Sequence, residues 1–396
     1  MTKRRPFEEV YPIKDMYKRF DARNTSFAQS RRRRESDNIE SKSLGYADDA
    51  GKVERMNKGI PGFSIVDYAF KDAAETYTGR GVNTGYYSWS SLGVATKPEG
   101  VPRWEVSPEE ASKVVSKAAR FYGATTVGFA KTDKRWFYSN LSDGRPIVFE
   151  DVEEGYTDEE KAVIPNSHKW VVAIAVPMEF IENSYAPTPI EVTSNVGYSR
   201  MHVTAGSLAE FIRGLGWHAI PCGNDTALSV PIAIQAGLGH VGRMGRLITW
   251  ERGPLVRICK VFTDLPLAPS PPAPDGIIEY CEVCKKCANH CPSKSIPDGP
   301  RTWKGHTEAN NPGILKWYCD EEACLQYWKE VGTGCSICFR VCSFTKPDRW
   351  HHRLVKWFIR NVPQLNRLWA WTDDLLGYGR MSDPMKYWDK PYESRM

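Results

Sequence analysis

The feature that most constrains this chain is a compact run of cysteines in its last third. Cys281-x2-Cys284-x2-Cys287-x3-Cys291 is followed directly by a proline. With this spacing a tight loop presents three thiolates to one 4Fe–4S cluster, while the fourth cysteine ligates a second cluster. A structural zinc site is the alternative, but it needs only four ligands, and its cysteine pairs typically lie further apart. We therefore predict iron–sulfur chemistry.

A second cysteine run follows the first one. In two-cluster ferredoxins the fourth cysteine of each run ligates the cluster of the other run, so the eight cysteines fall into two predicted ligand sets. The first set is Cys281, Cys284, Cys287 and Cys342, and the second is Cys291, Cys324, Cys335 and Cys338. Cys319 is a rival for the place of Cys324, because the loop before Cys335 has no fixed length; we favour Cys324. Cys222, Cys259 and Cys319 are then expected to be small buried hydrophobic residues.

The stretch before the cysteines predicts an α/β layered core over residues 106–275. A capping box begins at Ser107, with Pro108 in the first helical position. Residues 170–176 form a continuous apolar run, which is typical of a strand buried on both faces. The other predicted elements are a helix after Glu110 ending near Gly123, strands at 125–129 and 218–220, a helix over 201–215, and a hairpin of 247–250 with 255–261.

The remaining divisions follow from composition and pattern. Residues 1–105 show little periodicity, so we predict an irregular N-terminal segment that wraps around the core. We predict a cysteine module over residues 276–345. Residues 346–396 are rich in tryptophan and are predicted to pack on the core. The chain is 41% hydrophobic and 26% charged, with a net charge of +5, which is far from a nucleic-acid-binding signature. No apolar run approaches the roughly 18 residues that a membrane-spanning helix needs.

A glycine-dense segment at 237–245 lies between a predicted apolar helix and a predicted strand. This order is the reverse of a dinucleotide-binding fingerprint, in which the glycines follow a strand and open a helix. Either the glycines let the backbone approach a large cofactor, or they serve turn geometry. We favour the first interpretation, which gives as candidate cofactor-binding residues Gly237, Gly239, Gly242, Arg243 and Gly245.

Three polar residues stand out in the core. Arg257 shares a strand face with apolar residues, where a charge is costly unless an anion pairs with it. It marks either a structural ion pair or a site for a developing negative charge. Tyr198, just before a predicted helix, and Asn224, after a short strand, lie at element ends, where functional groups tend to gather.

The glycine segment followed by two such cysteine runs resembles the reductive dehalogenases, the corrinoid and iron–sulfur enzymes of organohalide respiration. The resemblance extends over about 106–345. It implies an α/β (α+β) fold with a nitroreductase-like core around a base-off corrinoid (cobalamin), beside a ferredoxin-like module with two 4Fe–4S clusters. It also implies that Tyr198, Asn224 and Arg257 line the pocket above cobalt, since their intervals match the family's spacing.

The implied activity is reductive removal of halide from an organohalide, with electrons from an external low-potential donor. Tyr198 would donate the proton, Arg257 would stabilise the tyrosinate, and Asn224 would orient the Tyr198 hydroxyl or the halide. No D-x-H-x-x-G motif is present, which agrees with cobalt that lacks a protein imidazole. The alternatives are an epoxyqueuosine reductase-type tRNA-modifying enzyme, whose loop usually reads differently from residues 239–244, and an iron–sulfur electron-transfer protein.

The resemblance also implies a cellular location and a protein partner. Family members that respire organohalides carry a twin-arginine signal, which this chain does not show. We expect a mature form at the outer face of the cytoplasmic membrane, with a cytoplasmic protein as the alternative. Respiratory members dock on a small membrane anchor protein, which makes such a protein the candidate partner. For the tryptophan-rich C-terminal segment we favour core packing, with a docking surface for that partner as the alternative.

Overall fold

The computed structural model describes residues 3–36, 49–64, 67, 82–95, 97 and 102–391. Its α-helices are α1 Phe7–Val10, α2 Ser26–Ser36, α3 Asp49–Asn57, α4 Pro108–Phe121, α5 Phe180–Asn183, α6 Thr193–Gly214, α7 Ser229–Gln235, α8 Ile277–Cys284, α9 Lys286–Asn289, α10 Glu321–Val331, α11 Ile337–Arg340, α12 Trp350–Asn361 and α13 Asn366–Leu375. Its strands are β1 Thr126–Lys131, β2 Ile147–Glu150, β3 Tyr156–Thr157, β4 Ala162–Pro165, β5 Trp170–Pro177, β6 Ala219–Cys222, β7 His240–Val241, β8 Leu247–Ile248 and β9 Val256–Thr263.

The core is a four-stranded antiparallel sheet in the order β1-β5-β9-β6. Successive side chains of β5 enter two different hydrophobic clusters, because a strand alternates its side chains between faces. Val172 and Ile174 pack with α4 and α6 on one face, whereas Val171 and Ala173 pack with α7 on the other. The apolar run therefore forms a strand buried on both faces, and the architecture is mixed α/β as the sequence predicts.

Helix α4 begins as its sequence predicts. The Ser107 hydroxyl accepts a hydrogen bond from the Glu110 amide at 3.2 Å, and Pro108 occupies the first turn. Helix α6 differs, because it starts at Thr193 rather than near Met201. The prediction that Tyr198 precedes this helix is therefore wrong. Gly197 and its polar neighbours are weak helix formers, and burial of the first two turns against the sheet overrides that weakness.

The predicted hairpin of 247–250 with 255–261 is also wrong. Strand β8 pairs with β7, and β9 instead enters the central sheet between β5 and β6. Thr249 forms a bridge with Gly253, which lies before the predicted second strand. Strand β9 is apolar on both faces over most of its length, which suits a central strand better than one half of a surface hairpin.

The cysteines from Cys281 to Cys342 lie on helices α8, α9, α10 and α11 and in the loops beside them. Helix α13 packs on α8, and α12 packs on α8 and α13. The N-terminal segment crosses from the core to this module: Arg5 pairs with Asp275 and Glu279 at 2.8 and 2.7 Å, and Ile13 bridges to Ile314. Within the ranges given above, no helix combines the length and the apolar character that crossing a membrane requires.

Candidate functional site

The three polar residues singled out in the core meet at one point. Asn224 Nδ2 donates a hydrogen bond to the Tyr198 hydroxyl oxygen at 3.0 Å. The Arg257 guanidinium lies over the Tyr198 ring, 4.6 Å from its centroid. These residues come from β9, from the loop after β6 and from α6, so the sheet and its covering helix assemble the group from distant parts of the chain.

Arg257 approaches helix α6 closely because position 197 is a glycine. A Cβ at Gly197 would lie 2.7 Å from Arg257 Cγ, which no side chain tolerates without a shift. Arg257 Nε is buried and has no hydrogen-bond partner among the described residues. An unsatisfied buried donor on a cation is costly, and it marks a place where an anionic or electron-rich group would be stabilised.

Two further aromatic residues, His202 and Tyr87, lie beside Tyr198, and the sequence analysis did not predict them. His202 Nδ1 lies 2.8 Å from the Tyr198 carbonyl oxygen, one turn along α6, and the Tyr87 ring stacks on His202 with a centroid distance of 4.1 Å. The Tyr198–His202 spacing would have revealed this contact, had the start of the helix been predicted correctly. Lys260, also missed, lies beneath the Asn224 loop and is fully buried.

The thiols of the first predicted cysteine set lie close enough to interact electrostatically, while their role as cluster ligands stays a prediction. Burial raises the pKa of the Cys281 thiol, and the neighbouring Cys342 and Cys284 thiols raise it further. Burial likewise raises the pKa of Cys287, with additional contributions from Cys281 and Cys342. Cys342 therefore lies with the first run, although it belongs to the second run in the sequence. Because cluster ligands are thiolates, binding a cluster here releases protons.

The thiols of the second predicted set also interact electrostatically with one another. Burial raises the pKa of Cys324 to about 12, and Cys335 and Cys291 contribute in the same direction. Burial raises the pKa of Cys335 to about 11, again with Cys291 contributing. Cys338 interacts with Cys335 and Cys324, and also with Cys319. In the part of the chain described, no three His, Cys, Asp or Glu side chains are placed to hold a single metal ion.

Cys319 lies at the edge of this second group. Its sulfur is 3.7 Å from the Arg243 carbonyl oxygen and faces the Gly245 turn. Next to it, Arg246 forms a two-pronged ion pair with Glu321, with both N–O distances at 2.8 Å. The electrostatic interactions of Cys324 with Cys335 and Cys291 favour it over Cys319, and the ligand assignment stays a prediction.

The glycine segment has a clear role within the protein itself. A Cβ at Gly237 would lie 2.1 Å from the Pro271 carbonyl oxygen, and one at Gly239 would lie 2.1 Å from that of Ile248. Gly242 turns towards the cysteine module, 3.6 Å from Cys281 Sγ by the same measure. These glycines allow backbones to pack closely, which favours the turn interpretation; a contact with a cofactor stays a prediction.

Arg243 is the buried link between the glycine segment and the first cysteine loop. Its guanidinium donates to the carbonyl oxygens of Cys281 at 3.0 Å, Pro297 at 2.9 Å, Gly299 at 2.8 Å and Glu282 at 3.2 Å. Because the guanidinium N–H groups of Arg243 donate to these carbonyl oxygens, they are not available to bind a cofactor. The residue therefore joins core and cysteine module, and a cofactor-binding role for it stays a prediction.

A cavity of about 240 Å³ lies away from Tyr198, where β6 begins rather than where it ends. It is lined by His168, His218, Glu154 and the Trp89 and Trp217 rings, among others. His218 Nδ1 pairs with Asp264 at 3.0 Å. This cavity is separate from the Tyr198 group, because strand β6 lies between them.

Known proteins resemble this chain in sequence. The family model described as "reductive dehalogenase subunit" matches residues 137–267. The tetrachloroethene reductive dehalogenase of Sulfurospirillum multivorans is 38% identical over 76% of this chain and 62% of its own length. That of Desulfitobacterium hafniense is 34% identical over 85% of this chain and 67% of its own length. The chain belongs to the reductive dehalogenase family. It spans about two thirds of the length of these relatives.

Solved structures confirm the fold of this reductive dehalogenase family member. The catabolic reductive dehalogenase NpRdhA, in complex with 3-bromo-4-hydroxybenzoic acid, matches with a TM-score of 0.69 and 20% identity, covering 96% of this chain and 49% of that one. A structure described as suggesting a mechanism for B12-dependent dehalogenation matches with a TM-score of 0.67, 19% identity and the same coverage. By contrast, epoxyqueuosine reductase of Gloeobacter violaceus is 30% identical over only 30% of this chain.

Proposed function

We propose that the protein catalyses reductive dehalogenation, replacing the halogen of an organohalide by hydrogen. The observation that carries this proposal is the convergence of Tyr198, Asn224 and Arg257. Two electrons and one proton convert the carbon–halogen bond into a carbon–hydrogen bond and a free halide ion. The chain must therefore supply a proton donor beside a source of electrons.

The Tyr198 group is suited to the proton transfer. The Tyr198 oxygen accepts a hydrogen bond from Asn224, so its own hydrogen is free to be donated to the substrate carbon. The Arg257 guanidinium over the ring stabilises the negative charge that remains on the phenolate. When bound, a base-off corrinoid and two 4Fe–4S clusters supply the electrons for this reduction.

The donor sets of the chain fit those cofactors. Cys287 of the first predicted set interacts electrostatically with Cys338 of the second set, as expected for two neighbouring clusters of a ferredoxin-like module. The antiparallel sheet covered by helices on both faces is compatible with a nitroreductase-like core. Arg257 Nε, which has no hydrogen-bond partner in the described part of the chain, would offer a donor to an added group.

The decisive experiment replaces Tyr198 by phenylalanine. We expect halide release from chlorinated ethenes, measured with a reduced low-potential dye as donor, to fall at least about 100-fold, since general acid catalysis typically contributes that much. Cobalt and iron contents should match those of the unchanged protein. A Tyr198→Phe protein with full cofactor content and full turnover would refute the role of Tyr198.

The same assay separates the alternatives. Iron without cobalt in the purified protein would favour an iron–sulfur electron-transfer protein. Reduction of epoxyqueuosine in tRNA without any halide release would favour the queuosine enzyme, although the sequence of the Gloeobacter violaceus epoxyqueuosine reductase matches 30% of this chain. Release of halide with cobalt present contradicts both alternatives.

We further propose that the protein works at the outer face of the cytoplasmic membrane and docks there on a small membrane protein. The support is an exposed apolar face on α12 and α13, here called the tryptophan face, formed by Trp350, Leu354, Trp357, Trp371 and Leu375. Trp350 is 70% exposed and Trp371 59%. Exposed tryptophan clusters of this kind are typical of protein interfaces.

Changing Trp350, Trp357 and Trp371 together to serine tests this docking surface. We expect the variant to lose co-sedimentation with membranes from a host that carries the anchor gene, while dehalogenation by the purified variant stays within about twofold. Phe121→Ser is the matched control, because Phe121 is 86% exposed on another helix. Equal binding to protein-free lipid vesicles would contradict a protein partner.

A further inference from the structure

Lys260 is a fully buried lysine whose ammonium group binds three backbone carbonyl oxygens and one serine hydroxyl. Its ammonium donates to the carbonyl oxygens of Asp225 at 3.1 Å and Ala227 at 2.7 Å, to Ser229 Oγ at 3.1 Å, and to the Gly223 carbonyl oxygen. Among the residues that the structure describes, it forms no ion pair with a carboxylate within 4 Å. Burying a charge without a carboxylate partner costs free energy, and removing it would leave the buried oxygens around it unpaired. We therefore expect the conformation of the segment that carries these oxygens to depend on Lys260.

All four acceptors belong to one segment, residues 223–229, which contains Asn224. The Asn224 carbonyl oxygen itself accepts a hydrogen bond from the Tyr138 hydroxyl at 3.0 Å. Thr226 has a φ of 65°, a left-handed conformation that a β-branched residue adopts only when its surroundings impose it. The backbone on both sides of Asn224 is thus fixed, whereas its side chain is exposed and points to Tyr198.

Strand β9 carries both Lys260 and Arg257, and it presents them to opposite faces of the sheet. The two residues are three positions apart, and side chains alternate along a strand. Arg257 faces α6 and Tyr198, whereas Lys260 faces the layer that contains α7 and the Asn224 segment. Strand β9 therefore orients Arg257 directly, and it orients Asn224 indirectly through Lys260.

We propose that Lys260 is a positioning residue for the proposed reaction: it fixes the backbone around Asn224 and so sets the direction of the Asn224–Tyr198 hydrogen bond. This inference rests on the proposed function, in which Tyr198 supplies the proton. As long as Asn224 donates to the Tyr198 oxygen, the Tyr198 hydrogen points away from Asn224 and can be transferred. Loosening of the segment lets the hydroxyl rotate, and its proton is then presented correctly in fewer encounters.

A double-mutant cycle in the cofactor-loaded protein tests this role. We expect Lys260→Met to lower kcat about 10-fold with little change in KM, and to raise the solvent deuterium isotope effect on kcat. In an Asn224→Ala background, the same change should lower kcat less than about twofold, since the interaction that it supports is already missing. An equal loss of kcat in both backgrounds would show that Lys260 acts independently of Asn224, and would overturn the proposal.

Ser229→Ala is the milder variant if Lys260→Met does not fold. It removes one of the four acceptors, and a two- to threefold loss of kcat that disappears in the Asn224→Ala background is expected. Amide hydrogen exchange gives a readout that does not depend on turnover: exchange at residues 223–229 should accelerate in either variant. Unchanged exchange would overturn the role of Lys260, whereas faster exchange in a protein that releases no halide would overturn only the proposed function.

Discussion

Gly197 determines how close Arg257 lies to the helix that carries Tyr198. The Cβ of an alanine would come within 2.7 Å of Arg257 Cγ, so the arginine stem would have to move. Helix propensity alone favours alanine over glycine by about 1 kcal/mol. Because this gain and the cost of the added overlap oppose each other, we expect Gly197→Ala to change the melting temperature little, but to lower kcat for dehalogenation about 10-fold.

Measuring the melting temperature together with kcat tests whether Arg257 moves in Gly197→Ala. A drop in melting temperature with unchanged kcat would show that the helix, and not Arg257, absorbs the added methyl group. Val203→Ala is the control, since Val203 is 39% exposed on the same helix and does not contact the Tyr198 group in the structure described. Its kcat should stay within about twofold of the original value.

At the scale of elements, a buried ion-pair network joins helix α13 to the cysteine module. Asp373 of α13 pairs with Lys286 at 2.7 Å and with Lys346 at 2.8 Å, and all three side chains are less than one-tenth exposed. Burial raises the pKa of Asp373, but the two lysines outweigh this effect and hold the pKa below its ordinary value. Lys286 lies between Cys284 and Cys287, so the network borders the first predicted cluster.

Asp373→Asn should break the ion pairs with Lys286 and Lys346. It leaves two buried lysines without their shared partner, and breaking such a pair typically costs about 3–5 kcal/mol. We expect that loss in the free energy of unfolding, measured anaerobically by denaturant titration. Asp374→Asn is the matched control: Asp374 also contacts Lys286, at 2.9 Å, but it is 60% exposed, and we expect less than about 1 kcal/mol. Similar losses in both variants would contradict a special role for Asp373.

The elements also show what the sequence can and cannot predict. Helix α4 and strand β5 follow from local signals, a capping box and an apolar run, and the structure confirms both. The early start of α6 and the place of β9 in the central sheet depend on contacts distant in sequence, which no local pattern carries. Arg257 was found because a charge on an apolar strand is costly, and the same argument applied to the other strand face would have found Lys260.

At the scale of the whole molecule, a buried histidine links stability to pH. His168 is 2% exposed, and burial, assisted by His218 and Arg213, lowers its pKa to about 4 although Asp264 opposes the shift. In the unfolded chain a histidine takes up its proton near pH 6.5. The unfolded state therefore binds the proton first as the pH falls, and the folded protein loses stability between about pH 6.5 and pH 4.

This loss should amount to roughly 3 kcal/mol, from about 1.4 kcal/mol per pKa unit. The free energy of unfolding, followed in acetate and phosphate buffers at constant ionic strength, should fall less steeply below pH 6.5 for His168→Gln than for the unchanged chain. His306→Gln serves as the control, because His306 is exposed. Identical slopes for the His168→Gln variant and the unchanged chain would show that other groups dominate the acid response.

The pairing of cysteines across the two runs is a property of the whole cysteine module, and iron content tests it. Two 4Fe–4S clusters hold about eight irons, so the loss of one cluster leaves about four. Because Cys324 lies with Cys335 and Cys291, we expect Cys324→Ala to retain about four irons per chain. Cys319→Ala should retain about eight, since the Cys319 sulfur contacts the Arg243 carbonyl oxygen instead. The reverse pattern would place Cys319 in the second cluster, and would mean that the glycine turn at Gly245 borders that cluster directly.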